Sequence, residues 1–136
     1  MLSLKDLNIK AASETPYIFE LLIEGAPVAT LIDGKEGTIK LSVIGQQSET
    51  FERRVDEINK RFELAKGLAD PTATSYDEAE ASADRVKQLV AARLVGWSGI
   101  EEECTPENAL KLISTNLAAF TQVWENSNKV GNFIKR

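Results

Sequence analysis

The sequence contains no histidine. That absence removes Ser-His-Asp and Cys-His nucleophile systems, histidine-ligated zinc and the usual general base near neutral pH. A single cysteine, Cys104, excludes an intramolecular disulfide and a four-cysteine metal site, and fits a reducing compartment. No apolar run approaches the roughly 20 residues of a membrane span. Residues 1–7, Met-Leu-Ser-Leu-Lys-Asp-Leu, lack the apolar core of a signal peptide, so a mature cytoplasmic protein is expected. Basic charge is also short: 16 Lys and Arg stand against 21 Asp and Glu, a net charge of −5. A nucleic-acid binder needs a positive footprint and an anionic membrane repels an acidic surface, so neither is an expected partner. There is no calcium loop of the D-x-[DN]-x-[DN]-G kind and no phosphate loop of the G-x-x-x-x-G-K-[ST] kind. No metal, cofactor or enzymatic activity is expected.

What is present suits one ordinary domain over residues 1–136, with 43% apolar and 27% charged residues. Residues 1–16 read as a polar lead-in, loose or helical in part. Residues 17–44 read as an antiparallel β-meander. Its strands are 17–23, 28–32 and 38–44, with a turn at 24–27 and a glycine-bearing hairpin loop at 33–37. In the last strand Ile39, Leu41 and Val43 would face the core while Thr38, Lys40 and Ser42 face water.

Residues 48–136 read as helical. Ser48 is a candidate N-cap for a charged helix over about 49–66, with Phe51, Val55, Ile58, Phe62 and Ala65 on one stripe and Gly67 after it. A loop at 70–75 leads to a capping box, Ser75-x-x-Glu78, and a helix from about Tyr76 to Val95. Val95-Gly-Trp-Ser-Gly-Ile100 then reads as a helix stop. Thr105-Pro-Glu-Asn-Ala109 reads as a start, with Thr105 as N-cap, Pro106 at the first helical position and Glu107 in the first turn. Two further helices are expected at about 106–115 and 117–130. The expected fold is α+β: a small N-terminal antiparallel meander packed on a mainly helical C-terminal part of about four helices.

Four aromatic residues stand out. Trp97 reads as a plug pinned between two helices with its indole N–H on a carbonyl, or as a partner contact. Phe120, Trp124 and Phe133 read as core, or as an exposed patch for a partner helix. Cys104 is a poor nucleophile, because Glu101, Glu102 and Glu103 beside it would raise its pKa. Gly34 and Gly37 read as turn glycines and not as a phosphate cradle.

The Trp97-x-Gly99 turn, the short acidic connector, Thr105-Pro-Glu-Asn-Ala109, an amphipathic helix and Phe133 near the end form a pattern. It resembles the C-terminal half of tail assembly chaperones of long-tailed bacteriophages. Gly45-x-x-Ser48-x-x-Phe51 running into a charged helix, and Leu89-Val-Ala-Ala-Arg-Leu-Val-Gly-Trp97, are similar to that family's earlier part. The resemblance covers about residues 28–136, and the connector at 101–104 is shorter than in many members.

The resemblance implies a non-catalytic protein of the bacterial host's cytoplasm, absent from the mature virion. It would bind the tape measure protein and keep it soluble while the tail tube assembles around it. A frameshifted longer form, of which this chain would be the short version, would recruit tail tube protein. Apolar anchors such as Phe120, Trp124 and Phe133, together with Trp97, would carry the contact, and a homo-oligomer stays open. Two rivals stand beside it: a structural tail or head–tail component retained in the particle, and a cytoplasmic adaptor.

Overall fold

Turn chemistry decides where the β-rich segment breaks. The structure is a computed structural model and describes residues 1–68 and 78–134. Within it run β1 (Tyr17–Glu20), β2 (Leu22–Ile23), β3 (Ala26–Pro27), β4 (Ala29–Ile32), β5 (Lys35–Thr38) and β6 (Lys40–Val43). Glu24-Gly25 and Asp33-Gly34 both carry positive φ, at 52° and 79° and at 54° and 78°. That is the type I′ geometry whose twist matches antiparallel strands. Each pair therefore closes a two-residue hairpin, β2–β3 and β4–β5. The expected loop at 33–37 is thus only Asp33-Gly34, and Gly37 lies inside β5 opposite Thr30.

The strands are antiparallel as expected, but their partners differ from those of a simple meander. β1 pairs with β6, Tyr17 opposite Val43 and Glu20 opposite Lys40, and both hairpins branch from the end of that pair. Three backbone bonds close the branch point: Leu21 N–H to Ile39 O at 2.9 Å, Ile39 N–H to Val28 O at 3.0 Å and Val28 N–H to Leu21 O at 3.2 Å. Each segment donates to the next, so no inward backbone group is stranded where the ladders change partner.

The helical part comprises α1 (Ile9–Ala12), α2 (Glu49–Leu68), α3 (Glu78–Ala91), α4 (Pro106–Thr115) and α5 (Leu117–Asn128). A 3₁₀ turn, Val130–Asn132, follows α5. The architecture is α+β. The expected caps form: Ser48 Oγ accepts from Phe51 N–H at 3.0 Å, and Thr105 Oγ1 accepts from Asn108 N–H at 3.1 Å. Asn116 ends α4 and starts α5, its Oδ1 accepting from Ala119 N–H at 3.0 Å. α2 carries through Gly67 instead of stopping before it. The loop expected at 70–75 and the opening of the capping box at Ser75 lie outside the described residues.

One expected helix segment is a strand. α3 stops at Ala91, and β7 (Leu94–Ser98) pairs antiparallel with the free side of β6, giving the sheet order β1-β6-β7. Leu94, Val95 and Trp97 are good strand formers, and Gly96 sits opposite Ser42. A register shift beside Val43 leaves Val95 as an extra residue. That bulge turns Leu94 and Trp97 to the same face, which their odd spacing would otherwise forbid. Gly99, and not Gly96, takes the left-handed backbone, with φ at 87°.

The inward face of the sheet presents Tyr17, Phe19, Leu41, Val43, Leu94 and Trp97 to the helices. Leu41 and Val43 are fully buried, among Val90, Ala109, Ile113, Ala119, Val123 and Phe133. The lead-in also docks. Gly45 N–H donates to Ser13 O at 2.9 Å, and a side chain at Gly45 would meet Ser13 Cβ at 2.7 Å. Glu14 accepts from Thr50 N–H and Thr50 Oγ1–H, both at 2.7 Å, and so caps α2 a second time. Among the described residues no helix is long and apolar enough to cross a membrane.

The strand at Leu94–Ser98 sets apart its two neighbouring glycines. A Cβ at Gly96 would make ordinary contact with Ser42 at 3.7 Å, whereas one at Gly99 would meet Thr30 Cγ2 at 2.7 Å. In urea unfolding, Gly96→Ala is expected to change stability by less than ~1 kcal/mol. Gly99→Ala is expected to lower it by about 2–4 kcal/mol, from left-handed strain and overpacking.

The two hydrogen bonds from Thr50 hold the Glu14 carboxyl below its ordinary pKa. Its contribution is therefore present above the unfolded carboxylate range and lost as pH falls through the folded value. Glu14→Ala should cost about 1 kcal/mol near neutral pH, the low side of a cap because solvent screens it. The difference from wild type should vanish in acid, and unfolding curves across pH would show it.

Candidate functional site

The four aromatic residues do not form one patch. Phe133 is core: its ring meets Tyr17 edge-on, with centroids 6.3 Å apart, and it lies against the place where Gly45 lacks a side chain. Phe120 is half-buried against the same core. Trp97 sits in β7 opposite Leu41, half-buried, and its indole N–H donates to Glu102 O at 2.8 Å. It does plug a gap and satisfy its N–H on a carbonyl. The gap lies between the sheet and the acidic connector, because Trp97 belongs to a strand and not to an interhelical turn.

Trp124 alone is open, at 48% exposure. Seven positions before it on α5, hence on the same face, Leu117 is 78% exposed. Thr121 lies between them, also exposed. α5 carries a single charged residue, Glu125, whereas the outer surface of α2 is dense with Glu, Asp, Lys and Arg. A surface helix ordinarily turns charge to water. The exposed positions of α5 are Leu117, Thr121, Trp124 and Glu125, so a leucine and a tryptophan share its outward face with one charge. By sequence Leu117 groups with Phe120, Val123 and Trp124 on the apolar face of its helix, but it opens the helix directly after a capping Asn and the structure turns it outward.

α5 is held firmly under this face. Ser127 Oγ donates to Ile44 O at 2.8 Å in the interior. Gln122 reaches back to β2: its Oε1 accepts from Leu22 N–H at 2.9 Å, and its Nε2 donates to Leu22 O at 2.6 Å. Arg93, buried between α3 and β7, donates to Asn128 Oδ1 at 2.8 Å and lies 4.9 Å from the centre of the Phe51 ring. Burial pushes its guanidinium below the ordinary value, and the negative end of the α5 dipole and the ring face offset part of that.

Two further features lie away from α5. A cleft of about 240 Å³ lies between α2, α3 and the start of α4, with Ile58, Ala91 and Leu110 inside and Arg54, Arg61 and Glu107 around it. Arg54 is already spent on the Ala92 carbonyl at 2.8 Å, and the rim mixes both signs of charge, so no one ligand chemistry fits. Cys104 has a raised pKa, as expected, but burial is the cause and not the neighbouring carboxylates; the charge of Arg54 pulls the other way. Among the described residues no group of three or more His, Cys, Asp or Glu side chains is placed to hold a metal ion.

These placements separate stability from surface. Phe133→Ala should cost about 3–5 kcal/mol in urea unfolding as a buried aromatic deletion. Trp124→Ala should change stability by less than ~1 kcal/mol, as a surface substitution does. A large loss for Trp124→Ala would put that ring in the core instead.

No family model, curated protein or solved structure matches this chain.

Proposed function

We propose that this chain is a tail assembly chaperone of a long-tailed bacteriophage or prophage. It acts in the host cytoplasm without catalysis, binding the tape measure protein and keeping it soluble until the tail tube has grown around it. The observation that supports the reading best is the outward face of α5, where Leu117 and Trp124 stand exposed beside a single charge, Glu125. A tape measure protein is a long amphipathic chain that aggregates through its apolar stripes. A fixed helix presenting a leucine and a tryptophan about 10 Å apart along its axis offers matching apolar anchors. The net charge of −5 keeps the coated complex hydrated. Many subunits along one target need only modest affinity each.

Of the anchors expected from sequence, Trp124 keeps its role, Phe120 supports it from the flank, and Phe133 and Trp97 serve the fold. Recruitment of tail tube protein by a longer, frameshifted form belongs to the same reading. The rival in which the chain stays in the particle and polymerises through strand edges finds less support, because the outer edge of β1 is short and partly occupied.

The test is co-expression with the tape measure protein of the same phage or prophage, followed by solubility and pull-down. The expected outcome is a soluble tape measure protein that co-purifies. Trp124→Ala and Leu117→Ala should each weaken that binding by roughly 10- to 30-fold while the chain stays folded, as hot-spot anchors do. A tape measure protein that stays insoluble and unbound beside the folded chain would remove the chaperone reading.

A further inference from the structure

We propose that the outer edge of β1 is a self-pairing surface for a second copy of this chain, held shut by the Gln122 carboxamide. In an antiparallel ladder, residues alternate between bonding inward and outward. Leu21 N–H bonds inward to Ile39 O, and Tyr17 and Phe19 share its parity, so Ile18, Glu20 and Leu22 turn their backbone groups outward. At Leu22 both groups are taken by Gln122, at 2.9 and 2.6 Å. The side chain thus stands where one residue of a neighbouring strand would stand. Ile18 and Glu20 have no outward backbone partner among the described residues. The previous outward position is Pro16, which has no N–H to offer. The open edge is therefore a window of two residues, bounded by a proline on one side and a glutamine on the other.

A second copy fits that window in one register. Antiparallel pairing about a two-fold axis at Phe19 sets Ile18 opposite Glu20 of the second copy, and the reverse. All outward N–H and C=O groups of both residues are then bonded in each chain. Glu20 meets an aliphatic side chain and not another carboxylate, and its own neighbour across β6 is Lys40. Ile18, 61% exposed in the single chain, gains a cross-strand partner. The next position of that register brings Pro16 of the second copy to Leu22, where its carbonyl would take the Leu22 N–H. Gln122 already occupies that place. Carboxamide and second copy compete for one site, so Gln122 sets whether the edge pairs. This inference stands apart from the chaperone reading, since it concerns the sheet edge and not the outward face of α5.

The experiment measures molar mass by light scattering and sedimentation over a range of concentrations, for the full wild-type chain, Gln122→Ala and Gln122→Met. Met keeps the length of the side chain and removes both hydrogen bonds, so it reports on the gate if Ala disturbs packing. Wild type is expected to stay a monomer at concentrations where both variants dimerise, with a dissociation constant at least tenfold lower. Amide exchange at Leu22 should rise in the variants at low concentration and fall again as they associate. Adding Ile18→Pro should return the variants to monomer, because it removes an outward N–H and leaves the ladder to β6 untouched. Folded variants that remain monomeric throughout would overturn the proposal. So would dimers that persist with Ile18→Pro, or a wild-type chain already paired through this edge.

Discussion

The cycle of backbone bonds among Leu21, Val28 and Ile39 is the constraint on which the other parts rest. β1 and β6 are separated in sequence by two hairpins, and they can pair only if that intervening chain closes without stranding its polar groups. The cycle provides the closure: each ladder ends by handing its bond to the next. β6 can then lie between β1 and β7, and Leu41 and Val43 become the fully buried centre against which the helices pack. The two Xaa-Gly turns matter for the same reason. Each must reverse the chain within two residues so that the hairpin arms leave the branch point compactly, and positive φ at both positions is what permits it.

A second meeting point lies at the far end of β6. There the lead-in, the start of α2 and the end of α5 come together around Gly45, and polar groups do the joining. Ser13 O, Ile44 O and Arg93 O each accept a bond from another segment. Glu14 caps α2 from a distance, and Arg93 places a buried cation between the Phe51 ring and the end of α5. Such an arrangement specifies geometry more than it adds stability, because desolvating a guanidinium offsets much of what its contacts return. Its effect here is to fix α5 against the sheet.

Much of this was legible where local chemistry decides structure. Ser48 and Thr105 announce their helices because an N-cap oxygen three residues before a donor needs no tertiary help. The period-two run ending at Val43 shows its buried face directly. What misled was competition between periods. Val86, Val90 and Leu94 continue a helical stripe, and Gly96 after them looks like a stop, yet the open side of β6 takes the same residues as a strand. Nothing local foretells that, since a bulge at Val95 is needed before Leu94 and Trp97 share a face. The lead-in was illegible for a similar reason. Its value lies in Ser13 and Glu14, whose partners are more than thirty residues away. Among the candidate anchors, sequence could not separate Phe133 from Trp124, because both sit in polar surroundings and only packing distinguishes them.

The surface proposed for a partner follows from how α5 is held. One flank of the helix is tied to β2 through Gln122, the opposite flank sends Phe120 into the core, and Ser127 anchors the end. What remains outward is the face bearing Leu117, Thr121, Trp124 and Glu125, held in place by those contacts. A partner that lands there meets a helix already held in place, so less of the contact energy is lost to fixing side chains and backbone. The exposed apolar pair is one helix wide, too narrow for two copies to bury much area against each other. The sheet edge is restrained differently, by a side chain seated on it, so the two exposed features of the fold answer to separate controls.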